Sequence, residues 1–115
     1  MLQIDRKIRM HYVYILRSKF FNRQLYVGMT TNCNRRLSDH NEGRSCHTAK
    51  FRPWELVYTE KFECSLEAVR RERQVKKWSR GKKEALIAGD FVRLKELSLS
   101  TPLRQAQGRS RQARK

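Results

Sequence analysis

The stretches HYVYIL (His11–Leu16), LYVGMT (Leu25–Thr30) and NCNRRLSDHN (Asn32–Asn41) decide the fold. The first two are β-branched and aromatic, and the polar Ser18–Gln24 segment between them reads as the loop of a hairpin. A strand's period of two puts Tyr12, Tyr14 and Leu16 on one face of the first run and Tyr26 and Gly28 on one face of the second. The hairpin can therefore present two phenols side by side. Gly28 closes the second run where the chain must turn and something can approach closely. In the third stretch, Asn32 is placed to N-cap a helix running to about Glu42, with Gly43 as its left-handed end. Cys33, Leu37 and His40 share one stripe of that helix, which turns His40 inward, with Arg36 beside the stripe and Arg35 on the next flank. Taken alone, these would be a satisfied buried histidine and a solvated basic face.

The rest of the chain serves this unit. Arg44–Arg52 is a polar, basic connection with His47 and Lys50 at its centre, the kind of loop that carries binding groups on a rigid scaffold. Pro53 opens an alternating run, Trp54–Phe62, that reads as a third strand. Ser65 is expected to cap a long helix reaching about Ser79, with Ala68, Val69, Val75 and Trp78 forming its apolar arc. Glu72 falls inside that arc. A carboxylate turned toward a core is paired or binds a metal, so Glu72 reads either as a salt bridge to Arg36 or Arg71 or as a metal ligand, with Lys76 one turn beyond. Arg80-Gly81 is expected to break the helix, Lys82–Gly89 to form a short one with Leu86 and Ile87 packing back, and Asp90 to cap a last turn through Leu97. The expected organisation is an extension over 1–9, a domain over 10–98 and a basic, disordered tail over 99–115. Strand, strand, helix, strand, helix, helix makes this an α+β fold: a three-stranded, mainly antiparallel sheet flanked by helices.

Lysine and arginine number 27 against 11 acids, a net charge of +16 and a pI near 10.6, which points to a polyanionic partner. Ser98–Lys115 contributes five basic residues and no acid, so eleven of the sixteen net charges belong to the body. Cys33, Cys46 and Cys64 are odd in number and lack CxxC spacing, which argues against a disulfide framework or a closed zinc site. No apolar run approaches a membrane span and Met1–Met10 is too polar for a secretory signal, so a cytoplasmic location without membrane contact is the expectation. A glycine-rich phosphate loop, an HExxH pair and a Glu-x-Lys acid cluster are absent.

Tyr12-Val13-Tyr14 and Tyr26-Val27-Gly28 resemble the two tripeptides that name the GIY-YIG nuclease family, in its small stand-alone members. The resemblance spans roughly Tyr12–Ser98 and extends to Arg36, eight residues past Gly28, His40 one turn later, and the single helical Glu72. Tyr12 stands where the family name has glycine. The resemblance implies the same fold and a metal-dependent endonuclease that hydrolyses DNA phosphodiester bonds. Glu72 would then hold one Mg²⁺ or Mn²⁺, Arg36 would grip the phosphate, and Tyr14 and Tyr26 would bracket the attacking water. A phenol titrates near pH 10, so a tyrosine base needs positive charge nearby to lower its pKa. Which tyrosine serves, and whether His40 relays its proton, stays open. Arg35, His47, Lys50, Arg52 and Lys76 are the expected nucleic-acid contacts, with His47 of second rank. Branched or damaged DNA, in repair or recombination, is the expected target, with a protein partner for targeting. The alternatives are a non-catalytic basic nucleic-acid-binding protein on this scaffold and a module whose basic face meets an acidic protein.

Overall fold

The computed structural model describes residues 9–21 and 24–105, with the side chains from Ser100 onward left out of the description. Its elements are β1 (His11–Ser18), β2 (Leu25–Thr30), α1 (Cys33–Asn41), α2 (Cys46–Ala49), β3 (Trp54–Phe62), α3 (Ser65–Lys76), α4 (Arg80–Ala88) and α5 (Phe91–Gln105). The chain divides into two compact units, residues 1–77 and 78–115.

The first unit is an antiparallel sheet in the order β2-β1-β3 with helices packed on it. β1 is the central strand, and its pattern shows why: Val13, Tyr14, Ile15 and Leu16 are all buried, two on each face. β1 continues two residues past the expected strand end, to Ser18, because Arg17 pairs with Glu55 and Ser18 with Trp54 of β3. A bulge opposite Ile15 and Leu16 leaves Val57 as the extra residue of β3, which otherwise spans the expected Trp54–Phe62.

The β1–β2 register sets Tyr14 opposite Gly28 and Leu16 opposite Tyr26. A β-carbon at Gly28 would sit on the Tyr14 hydroxyl and 2.6 Å from its Cζ, so the glycine is the space into which the phenol fits. Asn32 caps α1 as expected, its Oδ1 accepting from Arg35 N at 3.0 Å, and Gly43 follows in the left-handed region at φ +80°. α3 packs against all three strands, burying Ala68 and Val75.

Several local expectations give way. The Arg44–Arg52 connection is not all loop: α2 turns Thr48 inward, 1% exposed. Ser65 is the first residue of α3 rather than its cap, a position held by Cys64, and α3 ends at Lys76. Its expected last turn is lost because Ser79 starts the next helix, its Oγ accepting from Lys82 N at 3.2 Å. Gly81 therefore lies in the first turn of α4 instead of breaking a helix.

In the second unit, Gly89 (φ +72°) ends α4 and Asp90 Oδ1 caps α5 by accepting from Arg93 N at 3.0 Å. α4 and α5 pack together with Ala85 and Leu86 buried. Capped in this way, α5 runs past the expected stop at Leu97 to Gln105, so residues 99–105, expected in the tail, are helical. The expected extension over 1–8 and the remainder of the tail, 106–115, lie outside the described residues.

Gly28→Ala is expected to force the buried Tyr14 ring off its position and destabilise the protein by roughly 1–3 kcal/mol. Urea unfolding beside wild type measures this, and an unchanged midpoint would show that the ring has room to move.

Candidate functional site

Tyr14 and Tyr26 of the β1–β2 hairpin meet His40 of α1, with Arg36 one turn before it. Tyr14 is 2% exposed and His40 is fully buried. The Tyr14 hydroxyl lies 3.0 Å from His40 Nε2, and His40 Nδ1 lies 2.8 Å from Thr48 Oγ1. The Arg36 guanidinium lies close enough to the Tyr14 hydroxyl to favour its ionised form. Tyr26 closes the group, its ring 4.8 Å from that of His40 and 6.2 Å from that of Tyr14. The two phenols are side by side, as the strand period requires.

Donor counting gives this chain a direction. The Ser45 carbonyl can only accept, and it receives the Thr48 hydroxyl at 3.4 Å. Thr48 Oγ1 then accepts from His40 Nδ1–H, which leaves the lone pair on Nε2 to accept the Tyr14 O–H. The opposite tautomer would leave a buried phenolic proton without an acceptor, at the full cost of an unmade hydrogen bond. His40 is thus a neutral imidazole whose free nitrogen faces the phenol.

The electrostatics agree. Burial lowers the pKa of His40, Arg36 lowers it further, and Asp39 opposes them weakly. Burial pushes Tyr14 up to about 12, outweighing the hydrogen bond from Arg36 that favours the phenolate. Arg36 does pull Tyr14 in the direction a tyrosine base requires, but the ring's desolvation exceeds that attraction.

Glu72 is placed differently. It lies between Ala68 and Val75 on the inward face of α3, and its side chain is 17% exposed, but its carboxylate pairs with Lys76 at 2.9 Å. Neither alternative salt bridge forms: Arg71 binds Glu60 at 2.8 Å, and Arg36 holds Asp39 loosely at 3.7 Å. Among the described residues, no three His, Cys, Asp or Glu side chains gather as a metal cage. One sheltered carboxylate still fits Mg²⁺, which keeps most of its waters and takes one or two carboxylates plus substrate phosphate. Arg35, His47, Lys50 and Arg52 are exposed, and Lys76 is half exposed.

Two residues that hold the site are invisible to sequence periodicity. Thr48 looks like any hydroxyl in a basic loop. Asn41 clamps β3, its Oδ1 accepting from Trp54 N at 2.6 Å and its Nδ2 donating to Trp54 O at 3.2 Å. The Trp54 indole in turn donates to Thr48 O at 2.9 Å, fixing α2. Nothing local marks either residue, because both partners arise from the tertiary fold.

Because the unfolded chain binds a proton on His40 near the ordinary value of 6.5 and the folded one only below it, stability falls as pH drops through and below that point. The slope is expected to be at most about 1.4 kcal/mol per pH unit and to be missing from His40→Gln. Denaturant titrations between pH 5 and 7.5 measure it. Thr48→Val, which strands the His40 Nδ1–H, should cost about 1–3 kcal/mol, and unfolding curves that match wild type would reject the tautomer assigned above.

Residues 10–85 match the family of GIY-YIG catalytic domains. The chain is 42% identical over 81 residues to a UPF0213 protein of Natronomonas pharaonis, covering 70% of this chain and 93% of that one. It is 44% identical over 78 residues to one of Staphylococcus haemolyticus, covering 67% and 93%. The solution NMR structure of a UPF0213 protein from Bacillus halodurans is 41% identical, covers 69% of this chain and 83% of its own, and superposes with a TM-score of 0.46.

Proposed function

The chain belongs to the family of GIY-YIG catalytic domains, and from that premise we propose that it is a metal-dependent endonuclease that hydrolyses DNA phosphodiester bonds. The observation that carries the reading is the buried hydrogen bond of Tyr14 to His40, with the charge of Arg36 acting on both.

A phenol whose pKa is near 12 does not act by being ionised in advance. The Tyr14 oxygen instead accepts a proton from the attacking water as its own proton passes to His40 Nε2. His40 then carries the positive charge, held in place by Thr48. Tyr26, beside both rings, borders the water. Arg36 has five N–H donors in a planar fork and an exposed flank, so it can hold a non-bridging phosphate oxygen while touching Tyr14. Glu72 is the residue that would hold Mg²⁺ or Mn²⁺, whose contribution when bound is Lewis-acid charge at the phosphate and the departing oxygen. Arg35, His47, Lys50, Arg52 and Lys76 would contact the backbone. Backbone shape or branching would be the feature recognised, as in repair or recombination, and a protein partner would supply targeting.

The Glu72–Lys76 ion pair favours a second reading, a basic protein that binds nucleic acid on this scaffold without cutting it. The two separate cleanly. A labelled panel of linear duplex, nicked, flapped, four-way-junction and single-stranded DNA, with an RNA control, is incubated with Mg²⁺ or Mn²⁺. Wild type is expected to cut. Tyr14→Phe should be slower by roughly 10²–10⁴-fold and Glu72→Ala inactive, with binding retained in both. Binding by wild type with every substrate left intact would favour the second reading.

A further inference from the structure

The hairpin loop after β1 carries two phenylalanines that the site does not use. Phe20 is 77% exposed and Phe21 50% exposed. Solvent exposure of neighbouring phenylalanines is unfavourable, and here the loop is built to maintain it. Ser18, fully buried, donates its hydroxyl to Phe51 O at 2.6 Å while its Oγ accepts from Phe21 N at 3.0 Å. Lys19 N donates to Pro53 O at 2.9 Å, and Gln24 N to Phe21 O at 2.7 Å. One serine thus latches this loop to the 51–53 segment.

The rings continue inward from the loop. Phe21 meets Phe51 edge to face at 5.6 Å, Phe51 meets Trp54 at 6.3 Å, Trp54 meets Tyr26 at 6.4 Å, and Tyr26 meets His40 at 4.8 Å. An unbroken aromatic row therefore links exposed Phe21, next to Phe20, to the Tyr14–His40 site. Its flanks are cationic: Lys50 Nζ lies 5.3 Å from the Phe51 ring centroid, and Lys19 and Arg52 are exposed. The sequence over residues 16–31 and 43–54 contains no acid at all.

We propose that Phe20 and Phe21 form a stacking platform for an unpaired base of a nucleic-acid strand whose phosphates lie along Lys19, Lys50 and Arg52. Flat rings beside cations, with no acid among them, match the two components of a single strand, the base faces and the phosphates. An acidic protein would satisfy the cations but not the rings. The inference rests on the proposed nuclease reading and narrows its substrate to DNA with an unpaired segment a few nucleotides from the cut.

The test is binding, measured by fluorescence anisotropy with chelator present so that nothing is cut. A short single strand is compared with an abasic strand of equal length, which keeps every phosphate. Wild type should prefer the intact strand by about tenfold. Phe20→Ser, at a position with no packing to lose, and the double variant with Phe21→Ser should erase that preference while leaving abasic binding and its salt dependence unchanged, and Phe21→Trp should retain it. Equal wild-type affinity for the two strands, an equal loss on both strands in Phe20→Ser, or tighter binding to a polyglutamate peptide than to DNA would each overturn the platform. Each readout is independent of cleavage, so loss of the nuclease reading would show in the cutting assay with this preference intact, and loss of the platform would show here with cutting intact.

Discussion

The hydrogen bond between Tyr14 and His40 joins residues 26 positions apart and ties the central strand to α1. Much of the first unit can be read as what that single contact requires. Gly28 must lack a side chain so that the phenol can lie across β2. α1 must be capped at Asn32 so that Arg36 and His40 reach Tyr14. α2 must form within a stretch of basic residues so that Thr48 can reach the far nitrogen of the imidazole. Asn41 and Trp54 then fix α1 and α2 to β3. A buried polar chain of this kind specifies one arrangement, because any slip leaves a donor or acceptor unmet in a medium that offers no water.

The hairpin, the third strand and the inward turn of His40 were legible because each depends on a short-range period. Tyr12, Tyr14 and Leu16 alternate with buried Val13 and Ile15, and no other register hides both sets. What escaped was set by partners distant in sequence. Ser18 extends β1 because Trp54 lies opposite, and Thr48 is a site residue only because His40 arrives from another helix. Helix ends differ for a related reason: Ser65, the expected cap, is the first residue of α3, and Ser79, the expected end of that helix, caps the next one. The inward placement of Glu72 followed from the helical period, but its partner did not. Arg36 and Arg71 were the expected partners, and the i,i+4 neighbour Lys76 on the same helix took it instead, the arrangement that needs the least ordering of long side chains.

The charge balance has a structural counterpart. The acids that remain are largely committed: Asp39 to Arg36 and Arg44, Glu42 to Arg44, Glu60 to Arg71, Glu72 to Lys76. Such surface pairs add little stability. They do neutralise negative charge that would otherwise oppose a polyanion, and exposed Arg35, Lys50 and Arg52 give that anion its approach.

On the proposed reaction, the opposing pulls on Tyr14 and His40 acquire a purpose. Arg36 presently holds His40 neutral by repulsion, after burial, and it favours the phenolate of Tyr14. A phosphate bound to Arg36 would offset that guanidinium's charge. His40 would then become the stronger proton acceptor, while Tyr14 would be still harder to ionise alone. On that reaction the proton would move from water through the phenol to the imidazole in one concerted transfer, because burial disfavours a free phenolate. An arriving substrate would thus complete the base that acts on it, through the same arginine that holds it.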